Sequence, residues 1–546
     1  MYQGARTEFC KYGNDRTGRD GIELVYPLGE KPLLFLDRGL VFPGTMMWAH
    51  TDGKLTAFQA GLEYYGDKQF TQDEIIGVGF RLPFGLIFES QPAEKGPEIP
   101  RNGIVIHDNG KYRLWYGSRE AGSPGSVKEW TQESSMATEL ANMFRYSESD
   151  DGVTWHEPLM DHVMVENEKT NIVYGSALVP ELGFSGATIF KDPSASSNER
   201  YKLMFSGKMP IEEQIEFAKR KGKKVDPTTL SVAAQGSELF GVIYGATSPD
   251  GLKWTTLKDP LMMFFTETPE SAYYDVESQQ YVAYMREWHI MQRRSVAKSA
   301  THDFTDWPPP RPVLVPRYSD PLSTDFYTNA HTLYPGHDDI HLFFVSVYDR
   351  STDLRDKVSM AVSLDGDFYD FVPGPPAYSR NNVDWVPGGP ADSGEVVLGG
   401  QMVPFGVDHI GMIATSYNVP HKWPRTVQWK IDYRWALWEK DRLVALKAPE
   451  HGEFVTAGFE LENPTIFLNA KTEMSGKIEY ELLDNLGEPI PGFLLADSDP
   501  IIGNHKEIAL SWNGNRNLSD RIGTKIYLRI RMSQGSLFAI SSKRLD

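Results

Sequence analysis

The sequence predicts an all-β protein in which a five-bladed β-propeller is followed by a C-terminal β-sandwich. Many short apolar runs are separated by Gly, Pro, Asn and Asp, in a chain of 546 residues with 48 Gly and 36 Pro. This pattern is typical of strands joined by tight turns. A strand–turn–strand unit also recurs along the chain, and repetition at about 50–70 residues is the signature of a propeller with insertions.

A short turn motif supports the repeat. It reads SDDGVTW at 149–155, SPDGLKW at 248–254 and SLDGDFY at 363–369, with a looser copy, SATHDFTDW, at 299–307. Asp-Gly favours a hairpin because Gly accepts a positive φ and Asp bonds to the backbone of the turn. Each copy follows a strand–turn–strand unit, which predicts a third strand and an outer strand in every blade.

Five such units are present in the sequence. Each combines two apolar segments around a turn, and the pairs are 103–108 with 111–116, 187–191 with 201–205, 272–275 with 281–285, 330–334 with 340–345, and the fifth unit within 402–415. Two insertions, 211–224 and 127–144, carry helical spacing or charge and are predicted as helical excursions. The composition changes near residue 449, where strands alternate with little Trp. The predicted domains are an N-terminal segment at 1–60, the propeller at 61–448 and the β-sandwich at 449–546.

Charge and composition exclude several classes of function. The net charge of −19 disfavours nucleic acid or an anionic membrane as a partner. No segment reaches the roughly 20 apolar residues that span a bilayer. The single cysteine, Cys10, excludes an internal disulfide framework and a cysteine zinc site. The first residues lack an apolar signal segment, which fits a cytoplasmic protein or a secreted one trimmed before expression.

Several motifs resemble one bacterial group. The sequence LFLD at 34–37, YKL at 201–203, RRSVAKS at 293–299, PIPGF at 489–493 and DPIIG at 499–503 are similar to glycoside hydrolase family 32-like proteins, of the family 32 and 43 type. The resemblance covers about residues 33–546 and implies a five-bladed propeller with a C-terminal β-sandwich and a glycosidase activity. No cofactor or metal is expected, although analogy with related propellers leaves room for a structural calcium ion that no local motif supports.

The chain also departs from the family pattern. The first blade offers Arg101 and Asn102 where families 32 and 43 carry an Asp, and the family 32 Trp-Met-Asn-Asp-Pro-Asn-Gly motif is absent. Asp192 lies in a Lys-Asp-Pro that is similar to the family's Arg-Asp-Pro, but its position at the end of an inner strand favours a structural turn residue. These departures count against a fructosidase.

Acids at the start of the inner strands are the candidate catalytic residues. Glycoside hydrolysis needs one carboxyl group to protonate the leaving oxygen and another to act as nucleophile or to activate water. Glu267 and Glu270 precede the third inner strand, where the resemblance suggests the general acid. Asp325 and Glu395 lie at the fourth and fifth inner strands and are its candidate partners.

Polar and aromatic residues near the same positions are candidates for binding sugar hydroxyls and rings. The predicted substrate-binding residues are Asn102, Arg119, Arg286, Trp288, Tyr327, Asn329, Tyr348, Asp392 and Tyr417. His421 follows Tyr417 at the same exit, whereas Arg293 and Arg294 are interpreted as surface or structural residues. His331 is interpreted as a buried, hydrogen-bonded residue of the core.

The leading hypothesis is an exo-acting glycoside hydrolase that cleaves an oligo- or polysaccharide by carboxylate acid–base chemistry at the propeller axis. The alternative is a non-catalytic carbohydrate-binding protein, since a propeller serves binding as readily as catalysis. A third hypothesis, a polysaccharide lyase, requires a Tyr or His base and a cation for the uronate. The sequence leaves open the sugar, the linkage, the stereochemical outcome and the oligomeric state.

Overall fold

A computed structural model describes most of the chain. The described residues are 2–9, 22–42, 45–50, 55–57, 75–80, 83–119, 142–165, 167–175, 178–179, 182, 184–222, 239–264, 266, 271–287, 293–380, 389–422, 430–485 and 489–545. They divide into two compact units. One unit comprises residues 1–91, 372–375 and 439–546, and the other comprises residues 92–371 and 376–438.

The second unit is the five-bladed propeller that the sequence predicts, and this fold class is confirmed. Each blade is an antiparallel sheet whose strands follow one another outward from the axis. Blade 1 contains Gly103–Asp108, Lys111–Arg119, Asn142–Ser149 and Ile172–Gly175; blade 2 contains Ser185–Lys191, Tyr201–Pro210, Leu239–Ser248 and Thr255–Thr256; blade 3 contains Ser271–Asp275, Gln280–Glu287, Ser295–Thr301 and Arg311–Leu314. Blade 4 contains Thr324–Tyr334, His337–Asp349, Leu354–Ser363, Asp370–Phe371 and Tyr378–Ser379; blade 5 contains Glu395–Phe405, His409–Tyr417, Ile431–Glu439 and Glu94–Glu98.

The ring is closed by a strand from an early part of the chain. Glu94–Glu98 pairs with Ile431–Glu439 and forms the outer strand of blade 5, with Arg434 opposite Glu98. This differs from the predicted boundaries, because the described residues between 61 and 91 fall in the other unit and the propeller begins at residue 92. The segment EKGPE carries three charges and a proline, so it lacks the apolar alternation that marks a strand.

Aromatic residues fill the layers between neighbouring blades. Trp115, Tyr146 and Phe205 belong to one core shared by blades 1 and 2, and Trp435 lies with Tyr112 in the core between blades 5 and 1. The high aromatic content of the chain, 12% Phe, Trp and Tyr, therefore serves blade packing to a large extent. Buried rings supply much of the apolar area in such cores.

The Asp-Gly turns of blades 1, 2 and 4 each accept a hydrogen bond from a side chain of the previous blade. In the first copy, Ser149 Oγ accepts the amide of Gly152 at 2.9 Å and Asp151 Oδ1 accepts two further backbone amides. The carbonyl of Gly152 then accepts the indole N–H of Trp435 at 2.7 Å. The second copy repeats this bond between Trp115 and Gly251, also at 2.7 Å. These turns lie at the end of the propeller where the inner strands finish.

The inner strands begin at the opposite end, which we call the mouth. An α-helix, Ile211–Arg220, follows the second strand of blade 2 and matches the first predicted excursion. The second predicted excursion, 127–144, lies outside the described residues except for 142–144, which begin the third strand of blade 1. A hairpin of Met160–Val165 and Glu168–Thr170 precedes the last strand of that blade. Within the described part of the chain, no helix has the length and hydropathy that crossing a bilayer requires.

The first unit is built from strands of both ends of the chain. Nine strands pair into one sheet system: Arg6–Phe9, Ile22–Leu28, Leu33–Leu34, Ile87–Ser90, Val444–Val455, Gly458–Leu461, Thr465–Leu483, Asn504–Ala509 and Lys525–Lys543. The two 19-residue strands pair with each other, with register shifts along their length. Tyr26 and Phe35 share a core with Tyr480 and Trp512. Thr45–His50, Leu55–Ala57 and Ile75–Phe80 form a separate three-stranded sheet.

Candidate functional site

A cavity of about 290 Å³ lies on the propeller axis near the mouth. Every blade contributes a polar side chain to its lining, and these include Asn102, Thr188, Ser271, Thr328, Asn329 and Gln401. The volume is close to the lower end of the roughly 300–1,000 Å³ found for ligand pockets, which suits a small ligand. The cavity is therefore the first place where side chains of all five blades converge.

Asn329 is the clearest sign that the cavity is built for a polar ligand. The side chain is buried, yet neither its amide nitrogen nor its amide oxygen has a hydrogen-bond partner. The neighbouring Thr328 hydroxyl is also buried without a partner. Buried polar groups in folded proteins are nearly always hydrogen-bonded, so these groups point to a ligand hydroxyl or bound water.

Glycines create the space. Gly103, Gly117, Gly399 and Gly400 all line the cavity. A Cβ at Gly103 would lie 2.2 Å from the carbonyl oxygen of Trp115, so the strands approach too closely there for a side chain. At Gly117, by contrast, a Cβ would meet nothing within 4 Å. Gly117 is thus a position where a side chain can be added to the cavity without disturbing its walls.

The described lining is uncharged. It offers amides, hydroxyls and the imidazole of His331, whose pKa burial lowers well below its usual value. None of the described lining residues is a carboxylate, and no group of three or more His, Cys, Asp or Glu suited to a metal occurs among the described residues. Calcium prefers six to eight oxygen ligands that usually include carboxylates. The described lining does not fit a calcium ion, and its amides and hydroxyls can hydrogen-bond to an uncharged polar ligand.

A second group of residues lies at the mouth, and we call it the mouth cluster. It consists of Arg286, Arg294, Asp325, Tyr327, Arg355, Glu395 and His421. Asp325 is buried in the inner strand of blade 4, and its Oδ2 accepts a hydrogen bond from Arg294 of blade 3 at 2.7 Å. Arg350 Nε lies 3.7 Å from the other carboxylate oxygen.

Glu395 repeats this arrangement one blade further on. It is buried in the inner strand of blade 5, and its Oε2 accepts a hydrogen bond from Arg355 of blade 4 at 2.5 Å. Burial works against the charged form of Arg355, but the facing Glu395 carboxylate more than offsets it and raises the pKa of the guanidinium. Asp325 and Glu395 are therefore each held by an arginine of the preceding blade.

Tyr327 occupies the centre of the mouth cluster. The guanidinium carbons of Arg355, Arg294 and Arg286 lie 4.6, 4.7 and 5.0 Å from its ring centroid. Its hydroxyl is 2.8 Å from His421 Nε2. Tyr327 lies at a register shift of its strand, directly before the cavity residues Thr328 and Asn329, so the mouth cluster and the cavity share one stretch of backbone.

The remaining predicted residues are distributed as follows. Glu267, Glu270 and Trp288 lie outside the described residues, and Arg119 ends the strand Lys111–Arg119. Tyr348 is buried and donates its hydroxyl to Asp353 Oδ1 at 2.8 Å. Tyr417 lies opposite Glu395 in the strand register.

Asp392 forms an ion pair with Lys95 of the ring-closing strand and is not part of the mouth cluster. Asp192 accepts the amides of Ser194 and Ala195 at 2.9 and 3.1 Å, which agrees with its interpretation as a turn residue. The structure therefore brings Asp325, Tyr327, Glu395 and Arg286 together, while Asn102 and Asn329 line the cavity.

Sequence reasoning missed two arginines. Arg294 was interpreted as surface or structural, and Arg355 was not considered, although both bind candidate carboxylates. Each lies at or just before the third strand of its blade. The repeat itself contains the signal, because an Arg at the start of one third strand faces an acid at the start of the next inner strand in two consecutive blades.

No protein-family model matches the chain, and no curated protein matches it in sequence. Solved structures with a similar chain path include a family 32 beta-fructofuranosidase from Bombyx mori, 11% identical, with a TM-score of 0.33 and coverage of 85% of this chain and 95% of that one. A sucrose-6-phosphate hydrolase from Lactobacillus gasseri is 11% identical, with a TM-score of 0.35 and coverage of 81% and 93%. A beta-1,2-mannobiose phosphorylase from Listeria innocua is 10% identical, with a TM-score of 0.37 and coverage of 65% and 92%. The five-bladed arrangement of this chain rests on its own strand pairing.

Proposed function

We propose that the protein is a glycoside hydrolase that takes the terminal sugar of an oligo- or polysaccharide into the axial cavity. The observation that carries the proposal is the Asn329 amide, which is buried in the cavity wall with both polar atoms unpartnered. Amides and hydroxyls can donate to and accept from sugar hydroxyls. A cavity of about 290 Å³ suits a chain end, which is the reason for proposing exo attack.

The proposed chemistry needs a proton donor close to this cavity. Glu270 directly precedes Ser271, a residue of the cavity lining, and Glu267 lies three positions earlier. One of these two glutamates is proposed as the general acid that protonates the leaving oxygen. Asp325 and Glu395 are proposed as the carboxylates that support attack on the anomeric carbon from the other side of the sugar. Each of them forms an ion pair with an arginine at the mouth.

The first experiment is a screen of purified protein against aryl glycosides and plant or algal oligosaccharides, with reducing-sugar release and chromatography as readouts. Release of a single monosaccharide is expected. Glu270→Gln and Glu267→Gln are then compared, and the variant of the general acid should lose turnover but still bind the substrate. If neither variant, nor Asp325→Asn or Glu395→Gln, reduces the activity, the proposed acids are wrong.

The cavity itself can be tested at Gly117. Because a Cβ there meets nothing within 4 Å, Gly117→Ala and Gly117→Val should fold normally and fill the cavity in two steps. The Michaelis constant should rise from wild type to Ala and again to Val, while the thermal midpoint stays within a few degrees. Equal activity in all three proteins would show that the substrate does not enter the cavity.

One observation favours a second candidate, a carbohydrate-binding protein without turnover. None of the described lining residues of the cavity is a carboxylate, and Asp325 and Glu395 are engaged by arginines. A binder should show no sugar release on any substrate of the panel, together with a rise in thermal midpoint on addition of one glycan. Gly117→Val should abolish that rise.

A further inference from the structure

Tyr327, His421 and Glu395 form a chain of contacts at the mouth. The hydroxyl of Tyr327 lies 2.8 Å from His421 Nε2. The other ring nitrogen, His421 Nδ1, lies 3.5 Å from Glu395 Oε1. The order is therefore hydroxyl, imidazole and carboxylate. The same order of groups activates a hydroxyl nucleophile whenever a base is oriented by a third residue.

The environment of Glu395 selects the tautomer of His421. Glu395 Oε2 is bound by Arg355, but the buried Oε1 has no hydrogen-bond partner. Leaving a buried carboxylate oxygen unpaired is costly, so the proton of neutral His421 is best located on Nδ1, facing Oε1. Nε2 is then unprotonated, and it accepts the Tyr327 O–H.

The backbone holds His421 in this position. Its amide donates to the carbonyl of Asp353 at 3.0 Å, and the next amide, of Lys422, donates to Asp353 Oδ2 at 2.7 Å. Asp353 adopts a left-handed φ of 60° and also accepts the hydroxyl of Tyr348. These bonds connect the turn of blade 5 that carries His421 to blade 4, which carries Tyr327.

Three arginines surround the tyrosine. The guanidinium groups of Arg286, Arg294 and Arg355 lie within 5.0 Å of the Tyr327 ring. Fixed cations are effective where negative charge develops during a reaction, because they need no reorganisation. They would stabilise the charge that builds on the phenol oxygen as its proton leaves. The two described carboxylates of the mouth cluster, by contrast, each have an oxygen bound by an arginine.

We propose that Tyr327 is the nucleophile of the reaction, with His421 as its base and Glu395 as the residue that positions His421. The proposal rests on the glycoside hydrolase function given above. The Tyr327 oxygen forms a bond to the anomeric carbon while the bond from that carbon to the leaving oxygen breaks. The phenol proton moves to His421 Nε2, and the leaving oxygen takes a proton from the general acid of the proposed hydrolase mechanism.

The second half of the reaction reverses these transfers. Water attacks the anomeric carbon of the glycosyl-tyrosine, the bond to the Tyr327 oxygen breaks, and His421 returns its proton to the phenolate. The general acid, now deprotonated, takes the proton of the water. Two displacements at one carbon retain the anomeric configuration.

The closing experiment uses the full chain and the aryl glycoside that the screen identifies. Proton NMR of the first product should show the retained anomer. The matching 2-deoxy-2-fluoro glycosyl fluoride should label the protein, and peptide mass spectrometry should find the label on Tyr327. Tyr327→Phe should lower kcat by about 10²–10⁴-fold, the usual contribution of such a group. Tyr274→Phe, at the far end of blade 3, is the matched control and should retain activity.

His421 and Glu395 act through Tyr327, so their variants need a separate readout. His421→Gln should lower kcat and slow the labelling of Tyr327 by the fluoro sugar, with little change in the Michaelis constant. A purely structural role would instead change kcat and the Michaelis constant together. Glu395→Gln should lower kcat with little change in the Michaelis constant.

The outcomes separate the two proposals. An inverted product, a label on a glutamate, or full activity of Tyr327→Phe overturns the role of Tyr327 while the hydrolase function stands. Absence of sugar release from every substrate of the panel overturns the hydrolase function, and the tyrosine proposal falls with it.

Discussion

Acid is expected to destabilise the propeller through two histidines buried side by side in blade 4. His331 and His341 lie on paired strands, with His331 Nε2 at 3.2 Å from His341 Nδ1. Tyr273 stacks on His331 with ring centroids 5.0 Å apart. Burial, together with the nearby Lys298, lowers the pKa of His341 from 6.5 to about 4. Both imidazoles are therefore neutral in the folded protein at pH 7.

The magnitude follows from proton linkage. Below pH 6.5 the unfolded chain binds a proton at His341, whereas the folded chain stays neutral until about pH 4. Unfolding therefore takes up a proton, and stability falls as the pH is lowered through this window. A pKa of His341 lowered from 6.5 to about 4 changes the free energy of unfolding by about 3 kcal/mol in total. About 2 kcal/mol of this stability is lost between pH 7 and pH 5. His331, whose pKa is also lowered, adds to the effect.

Urea unfolding followed by tryptophan fluorescence at pH 7 and pH 5 measures this loss. His341→Gln should be less stable than wild type at pH 7 because it loses ring contacts, but its free energy of unfolding should change less between the two pH values. His156→Gln, at an exposed histidine, should keep the wild-type dependence. An identical change in wild type and His341→Gln would refute the reasoning.

Two further predictions concern single contacts between blades. Arg355→Met should lower the free energy of unfolding by about 3–5 kcal/mol, because it leaves the buried Glu395 carboxylate without its guanidinium; Arg355→Met with Glu395→Gln should recover much of the loss in the same urea assay. Gly251→Ala should cost more than Gly110→Ala, since both residues have a positive φ, but only the Cβ at Gly251 would lie 2.7 Å from Trp115. Equal thermal midpoints for these two alanine variants would contradict the close approach at Trp115.

The sequence predicted the blades because their signals are local. The turn at 149–155 contains its own donors and acceptors, so Ser149, Asp151 and Gly152 can be identified without knowledge of their neighbours. The same holds for the strand pairs on either side of tight turns. The starts of the inner strands are also recognisable in the sequence, and they identified Asp325 and Asn329 as candidate site residues.

The missed features depend on contacts between distant segments. Arg294 and Asp325 are separated by 31 residues, and Arg355 and Glu395 by 40, so no local pattern joins them. The binding of Asp325 and Glu395 by arginine becomes visible only when successive blades are compared, and the position of Tyr327 between the cations is not visible in any short segment. The sequence also did not predict that both ends of the chain form one unit. Tyr26 and Tyr480 share its core, and no short segment of sequence contains both.

The closure of the ring by Glu94–Glu98 has a consequence for biosynthesis. Arg434 donates to the carbonyl of Gly96, a residue 338 positions earlier in the chain. The ribosome synthesises Glu94–Glu98 before every other strand of the propeller and Ile431–Glu439 after all of them. A chain grows at only about 5–20 residues per second. For many seconds the nascent polypeptide therefore exposes an unpaired edge, which is open to pairing with another chain. Charges and proline on an unpaired strand disfavour pairing with another chain. The polar sequence of Glu94–Glu98 therefore lowers the tendency of the growing chain to aggregate until Ile431–Glu439 has been synthesised.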